Sequence, residues 1–105
     1  MPKLVKPANS ERAAEAVTVL GNLGKASLIA YLRRNPNAGR KAISEAIEVP
    51  PPTLVRYLRE LEEAGVLIGD PPRSDRKQGE WPVYRVNNAV VTDLYLQLGQ
   101  EIGEI

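Results

Sequence analysis

Apolar residues recur at spacings of three and four along most of this chain, a pattern typical of amphipathic helices. A first helix is expected from Ser10, a good N-cap residue, to Leu20. A second helix is expected over about 25–34, and it is followed by a loop at 35–39 with the sequence NPNAG. The predicted buried stripe of the second helix consists of Leu28, Ile29 and Leu32.

Three consecutive prolines at 50–52 stand directly before another regular helical pattern. Proline is tolerated in the first turn of a helix because the N–H groups there have no intrahelical partners. The run therefore predicts a rigid corner followed by a helix over about 51–64, with Gly65 at its end. The predicted inward positions are Leu54, Leu58 and Leu61, and those of a shorter preceding helix at about 40–47 are Ile43, Ala46 and Ile47.

After Gly65 the pattern changes to two short segments, VLIGD and WPVYRVN, which predict the two strands of a hairpin. Pro82 cannot donate a backbone hydrogen bond, so the second strand is expected to begin unpaired or to lie at an edge. The loop between the segments is polar and basic. A last helix is predicted by a stripe of apolar residues: Val91, Leu94 or Tyr95, Leu98, Ile102 and Ile105.

The 105 residues include no Cys and no His. Disulfides, thiol chemistry, the best transition-metal ligands and the commonest general base are thereby excluded. No nucleophile–base pair, phosphate-cradling glycine loop or paired-carboxylate motif stands out, so we expect no enzyme, no cofactor and no metal site. No apolar run is long enough for a signal peptide or a membrane span, which predicts a cytoplasmic protein without a membrane partner.

The net charge of +1 is distributed unevenly along the chain. Residues 33–85 hold ten Lys or Arg against eight Asp or Glu, whereas residues 86–105 hold none against three. The last segment is therefore not expected to contact a polyanion. Because a small basic excess is also typical of a solvated mixed surface, charge alone does not predict nucleic-acid binding.

Residues 25–86 resemble the winged helix-turn-helix of bacterial transcription regulators, with a layout similar to that of the ArsR-like and MarR-like groups. The resemblance rests on RKAISEAIEVPPPTLVRYLRELEEAGVLI followed by GEWPVYRVN, and YLRELEEAGVL is its most specific part. It implies a mainly α fold with a small β-hairpin wing and flanking N- and C-terminal helices. The implied organisation is a flexible arm at 1–9 and a single domain at 10–105, in which 88–105 is a dimerisation helix.

In this motif the second helix of the pair enters the major groove and presents its N-terminal residues to base edges. Arginine can pair with two atoms of a guanine edge, and threonine can hydrogen-bond or touch a thymine methyl group. The start of the preceding helix and the wing are expected to meet the DNA backbone or the adjacent minor groove. The expected DNA contacts are Pro52, Thr53, Val55, Arg56, Tyr57 and Arg59 on the reading helix, Arg40 and Lys41 before it, and Arg73, Arg76, Lys77 and Gln78 in the wing.

Some of these residues have a second interpretation. Arg56 and Arg59 can instead form a solvated helix face, in which they pair with acidic neighbours. The acidic residues at helical spacing are Glu60, Glu62 and Glu63. Two departures from the family pattern bear on base contacts: Glu48 stands where the turn often has Gly, and prolines replace a Ser/Thr-rich helix start. Trp81 is expected to cover the base of the hairpin.

A single winged domain reads only a few base pairs, so the resemblance implies a homodimer on a palindromic site. The acidic last helix is the expected interface, and the alternative is that this helix packs on its own domain. No metal sensing is expected, and nothing in the sequence points to a small-molecule effector. The expected interface residues are Val91, Leu94, Tyr95, Leu98 and Ile102.

The sequence therefore predicts a sequence-specific, double-stranded DNA-binding transcriptional regulator, a repressor acting as a homodimer on a palindromic operator. The alternative is a winged-helix module for protein–protein interaction or assembly, without sequence-specific DNA binding. The weak basic excess and the proline-rich helix start favour this alternative. The two functions differ in salt dependence, because neutralising several phosphates makes affinity fall steeply as salt rises.

Overall fold

The computed structural model describes residues 11–105, so the arm expected at 1–9 and the N-cap expected at Ser10 lie outside the described residues. The described part of the chain contains five α-helices and three short strands. The α-helices are α1 (Glu11–Leu20), α2 (Leu23–Arg34), α3 (Arg40–Ala46), α4 (Pro51–Glu63) and α5 (Asn88–Glu101). The strands are β1 (Ala38–Gly39), β2 (Leu67–Asp70) and β3 (Val83–Val86), and a single 3-10 turn (Arg73–Asp75) lies between β2 and β3.

Helix α2 begins at Leu23, two residues before the expected start. The reason is the cap at Asn22, whose side-chain oxygen accepts a hydrogen bond from the backbone N–H of Lys25 at 3.0 Å. The predicted buried stripe of this helix is confirmed, because Leu28, Ile29 and Leu32 are all buried.

The loop expected at 35–39 contains the short strand β1, which the sequence did not indicate. Ala38 pairs with Tyr84, and the N–H of Asn37 donates to the carbonyl of Tyr84 at 2.9 Å. Strand β3 therefore lies in the middle of an antiparallel sheet with the order β1–β3–β2. A two-residue strand carries no alternation of its own, so only its partner reveals it.

Helix α3 ends one residue earlier than expected, and Ala46 is exposed rather than inward. Ile47 is buried as predicted, but it belongs to the turn that leaves the helix. Helix α4 confirms its predicted stripe, and Gly65 follows its C-cap with a φ of 78°, a conformation that suits glycine. The buried leucines of α4 are Leu54, Leu58 and Leu61.

The side chains along β3 alternate in burial. Tyr84 and Val86 are buried and Arg85 between them is exposed, while β3 begins directly after Pro82. The β2 partners run from Leu67 opposite Val86 to Asp70 opposite Val83. One apolar cluster joins the sheet to all five helices; its fully buried large members include Leu28, Leu32, Ile43, Leu54, Leu61, Leu67 and Leu94.

Candidate nucleic-acid interface

The three prolines determine how α4 leaves the turn. Pro50 is the N-cap residue with φ −57° and ψ 144°, and the first two helical positions are also proline. The carbonyl of Pro50 accepts the N–H of Leu54 at 3.0 Å, which starts the helical hydrogen bonds. Of the four N–H groups that a helix leaves unpaired at its start, proline removes three here. The start of α4 is therefore a rigid corner with little capacity to bind a phosphate through its backbone.

Arg56 and Arg59 lie on the exposed face of α4. Within residues 11–105, neither arginine forms a salt bridge with an acidic residue at helical spacing, because those glutamates pair elsewhere or lie exposed. Pro52 is also exposed, whereas Thr53 and Val55 are half-buried. Helix α4 thus presents two guanidinium groups on its exposed face, which is the face that contacts base edges in winged helix-turn-helix complexes with DNA.

The side chain of Tyr57 contacts the start of α2. Its hydroxyl accepts a hydrogen bond from the side-chain amide of Asn22 at 3.3 Å. A Cβ placed on Gly24 would lie 2.7 Å from the Tyr57 ring, so only glycine leaves room for the ring at that position. The half-buried ring therefore packs α4 against α2, and the DNA contact expected for Tyr57 stays a prediction.

Arg40 and Trp81 form a stacked pair at the edge of the sheet. The guanidinium carbon of Arg40 lies 4.0 Å from the centre of the Trp81 ring, a distance that suits a cation–π contact. Trp81 remains 57% exposed, so it does not cover the hairpin base as closely as expected. Lys41, next to Arg40 at the start of α3, is exposed. The indole orients Arg40 while leaving both side chains accessible.

The wing cations divide into two kinds. Arg76 is mostly buried, and its guanidinium donates two hydrogen bonds to Glu62 of α4, at 3.2 and 2.6 Å, and one to the carbonyl of Pro71 at 2.9 Å. Arg73 lies 3.8 Å from the same carboxylate and stays exposed. Three of the five N–H donors of Arg76 are thus used within the protein, and the DNA contact expected for this residue stays a prediction. Lys77 and Gln78 are exposed and remain candidates.

Sequence reasoning did not identify the Glu62–Arg76 pair or its dependence on Gly69. A Cβ on Gly69 would lie 2.2 Å from Arg76 Nη2 and 2.7 Å from Glu62 Oε2, so the pair crosses β2 at the one place where the strand lacks a side chain. A glycine inside a strand can mark a place where another group approaches the backbone closely. Gly69 in the sequence was therefore the one sign from which this contact could have been predicted.

A second ion pair joins α2 to α4. Lys25 is buried with 5% of its surface exposed, and its ammonium group lies 3.0 Å from the carboxylate of Glu60. The hydrogen bond and charge of Lys25 lower the pKa of Glu60 below its ordinary value. Nothing in the local pattern distinguishes Lys25 from a solvated lysine, so its burial was not predictable.

The predicted dimer residues are placed differently from one another. Val91 and Leu94 are buried in the core of the chain itself, and Leu98 is partly buried against that core. Tyr95 and Ile102 are 67% and 69% exposed. Only the latter two offer a large free surface to a second chain.

Comparison with known proteins agrees with this geometry. Residues 27–68 match a family described as winged helix-turn-helix DNA-binding. The protein has a winged helix-turn-helix fold. The crystal structure of an ArsR family transcriptional regulator superposes on it with a TM-score of 0.65 at 19% sequence identity, covering 90% of this chain and 92% of that one. A comparison with curated protein sequences gave no significant match.

These findings confirm the resemblance to winged helix-turn-helix regulators and the predicted fold class. Across residues 11–105, no helix has the length and apolar character needed to cross a membrane. The winged helix-turn-helix occupies α2 to β3, with α1 and α5 packed together beside it.

Proposed function

We propose that this winged helix-turn-helix protein binds specific double-stranded DNA sequences and represses transcription as a homodimer on a palindromic operator. The observation that carries the proposal is the pair of exposed arginines on α4, Arg56 and Arg59, which form no salt bridge within residues 11–105. Lys77 and Gln78 extend the same potential surface into the wing. The match of residues 27–68 to a DNA-binding family supports this use of α4.

Base reading is assigned to side chains because the prolines leave α4 few backbone donors. Arg56, in the second turn of α4, is the best placed to pair with a guanine edge. Arg59 lies one turn further along, and it lines a small crevice between α4 and the wing together with Arg73 and Trp81. We assign the crevice to the DNA backbone, with Arg59 as its phosphate contact, and we assign Lys41, outside the crevice at the start of α3, to a second phosphate.

Dimerisation follows from the small number of base contacts available to one chain. Two copies related by a two-fold axis place their reading helices about 34 Å apart, one turn of DNA, and so require a palindromic site. Repression needs only that the bound dimer occupy a promoter. Residues 11–105 are accounted for by the winged helix-turn-helix and its flanking helices, which fits that simple role.

Selection of binders from a random pool of duplex DNA at near-physiological salt tests the proposal. A palindromic consensus is the expected result, and placing that site over a promoter should reduce transcription when the protein is added. Failure to enrich any sequence, with only weak binding that disappears as salt rises, would favour a protein-interaction module instead.

Arg56→Ala tests the assigned base contact on the selected site. We expect a loss of about 1–3 kcal/mol in binding free energy and relaxed selectivity at one base pair. Arg56→Lys is the matched control, because lysine retains the positive charge but loses the planar fork. If lysine restores wild-type affinity and selectivity, Arg56 contacts a phosphate and the base assignment is wrong.

A further inference from the structure

Trp81, at the base of the wing, has no role in the function proposed above. Its side chain is 57% exposed, and tryptophan is the residue type most enriched among those that anchor binding interfaces. The next residue, Pro82, is buried, and β3 begins directly after it. A residue that precedes proline is restricted to extended backbone conformations, so the indole stands on a rigid segment. The fold therefore holds this large apolar ring at the surface.

Arg40 covers one face of the ring. Its guanidinium carbon lies 4.0 Å from the ring centre, and it comes from the first residue of α3, a different part of the chain. Within residues 11–105 Arg40 forms no salt bridge, so no acidic side chain competes with the ring for it there. A guanidinium stacked on an indole restricts the rotamers of both side chains. The ring of Trp81 is therefore oriented before any partner binds.

The ring also forms part of the wall of the crevice between α4 and the wing. The crevice has a volume of about 140 Å³, which is smaller than a typical small-molecule pocket. Among the described residues that line it, the only acid is Glu80, whose carboxylate accepts the backbone N–H of Lys77 at 3.0 Å. A polyanion that passes over the crevice therefore suits its charge. The arginines that line it are Arg59, Arg73 and Arg76.

We propose that Trp81 is an uncharged DNA contact, whose indole ring packs against a deoxyribose of the backbone segment that crosses this crevice. Arg40 is the positioning residue that holds the ring in place. A deoxyribose presents C–H groups between two phosphates, which suits an apolar ring that shares a crevice with Arg59 and Arg73. The proposal rests on the DNA binding proposed above and adds to it a contact that carries no charge.

The salt dependence of DNA binding by Trp81→Leu tests the proposal. Affinity is measured for the selected site and for a duplex of arbitrary sequence, because a contact to the backbone is made with both. We expect both affinities to fall roughly three- to tenfold, by the same factor at every salt concentration, because an indole releases no counterion. Trp81→Phe is the matched variant that keeps a ring for Arg40 and the sugar, so it should lose less affinity. Arg59→Ala, which removes an assigned phosphate contact, should instead make the salt slope shallower by about 1.

Tryptophan fluorescence provides a second measurement on the unchanged protein, because Trp81 is the only tryptophan of the chain. Acrylamide is a neutral quencher that reaches an exposed indole. Its quenching constant should fall when the protein is saturated with duplex, because the sugar then covers the ring. In Arg40→Ala without DNA the quenching constant should rise above the wild-type value, because one face of the ring is uncovered.

Different results would overturn the proposal. One is a folded Trp81→Leu that binds both duplexes as tightly as wild type, and another is a loss confined to the selected site, which would indicate a base contact. A shallower salt slope in Trp81→Leu would show that the ring acts only by holding Arg40 on a phosphate. Equal quenching with and without saturating duplex would overturn the proposal on wild-type protein, whatever the folding of the variants.

Failure of this proposal can be distinguished from failure of the proposed function. The duplex of arbitrary sequence requires no operator, so the losses expected for Trp81→Leu can be measured even if selection recovers no consensus. A recovered consensus with wild-type affinity in Trp81→Leu would overturn the role of Trp81 alone. A protein that binds neither duplex at low salt would overturn both.

Discussion

The pair formed by Glu62 and Arg76 allows a sharp stability prediction. The side chains of Glu62 and Arg76 are 12% and 14% exposed, and two hydrogen bonds join them. Glu62→Gln keeps the shape of the side chain and one acceptor oxygen but removes the negative charge. The guanidinium would then remain in the base of the wing without its counterion, held by the carbonyl of Pro71.

The magnitude follows from burial. Removing one partner of a buried ion pair costs about 3–5 kcal/mol, because an uncompensated charge is left inside. This cost is reduced here because both side chains are still partly exposed and because glutamine retains one acceptor oxygen. We therefore expect the free energy of unfolding to fall by roughly 2–3 kcal/mol. For a domain of this size that corresponds to a fall of about 10–20 °C in Tm.

Urea unfolding at pH 7, followed by circular dichroism and by the fluorescence of the single tryptophan, measures the loss. Trp81 lies at the wing, so coincidence of the two transitions also tests whether wing and helices unfold together. Glu63→Gln is the matched control on the adjacent, exposed position, and its effect should stay within about 0.5 kcal/mol. Equal losses for both variants would refute the reasoning that Glu62 compensates a buried charge.

Two further predictions concern pH and salt. Burial raises the pKa of Tyr84, so its hydroxyl ionises at a lower pH in the unfolded chain than in the folded protein. The free energy of unfolding should therefore fall as the pH rises above about 10. In urea titrations Tyr84→Phe should lessen that fall, whereas Tyr95→Phe, at an exposed position, should not. For DNA binding, the assigned interface has four exposed cations without a salt bridge in residues 11–105, namely Lys41, Arg56, Arg59 and Lys77. Because Arg56 is assigned to a base edge, the other three are counted as phosphate contacts, and we expect log K to fall with log salt concentration at a slope of about −3 per protomer. A slope steeper than about −6 would show that further cations take part.

The helical part of the fold was predictable because its signals are local. Apolar spacing located the leucines of α4, and the chemistry of proline and glycine located the two ends of that helix. Strand β1 was missed because two residues carry no period, and its existence depends on a partner about 45 residues away. The start of α2 at Leu23 could also have been predicted, because Asn22 is a favourable N-cap residue directly before it.

The candidate interface was less predictable because a charge pattern does not show where a charge is used. Arg56 and Arg59 kept the exposed positions that helical spacing gave them. The spacing argument paired acidic residues with their neighbours on α4, whereas Glu62 pairs with the wing and Glu60 with α2. Both partners are distant in sequence, so a tertiary contact decided each case.

The same pair connects stability to recognition. Glu62 lies in the last turn of the reading helix, and Arg76 precedes the exposed Lys77 of the wing. We therefore expect the pair to hold Lys77 at a set distance from the helix. In Glu62→Gln, folded protein at low temperature should lose the contribution of Lys77 to DNA affinity while keeping selectivity at the base pair read by Arg56. A double-mutant cycle between Glu62→Gln and Lys77→Ala measures this, and coupling is expected because both act on the wing. Strict additivity would mean that the ion pair stabilises the fold without positioning the wing.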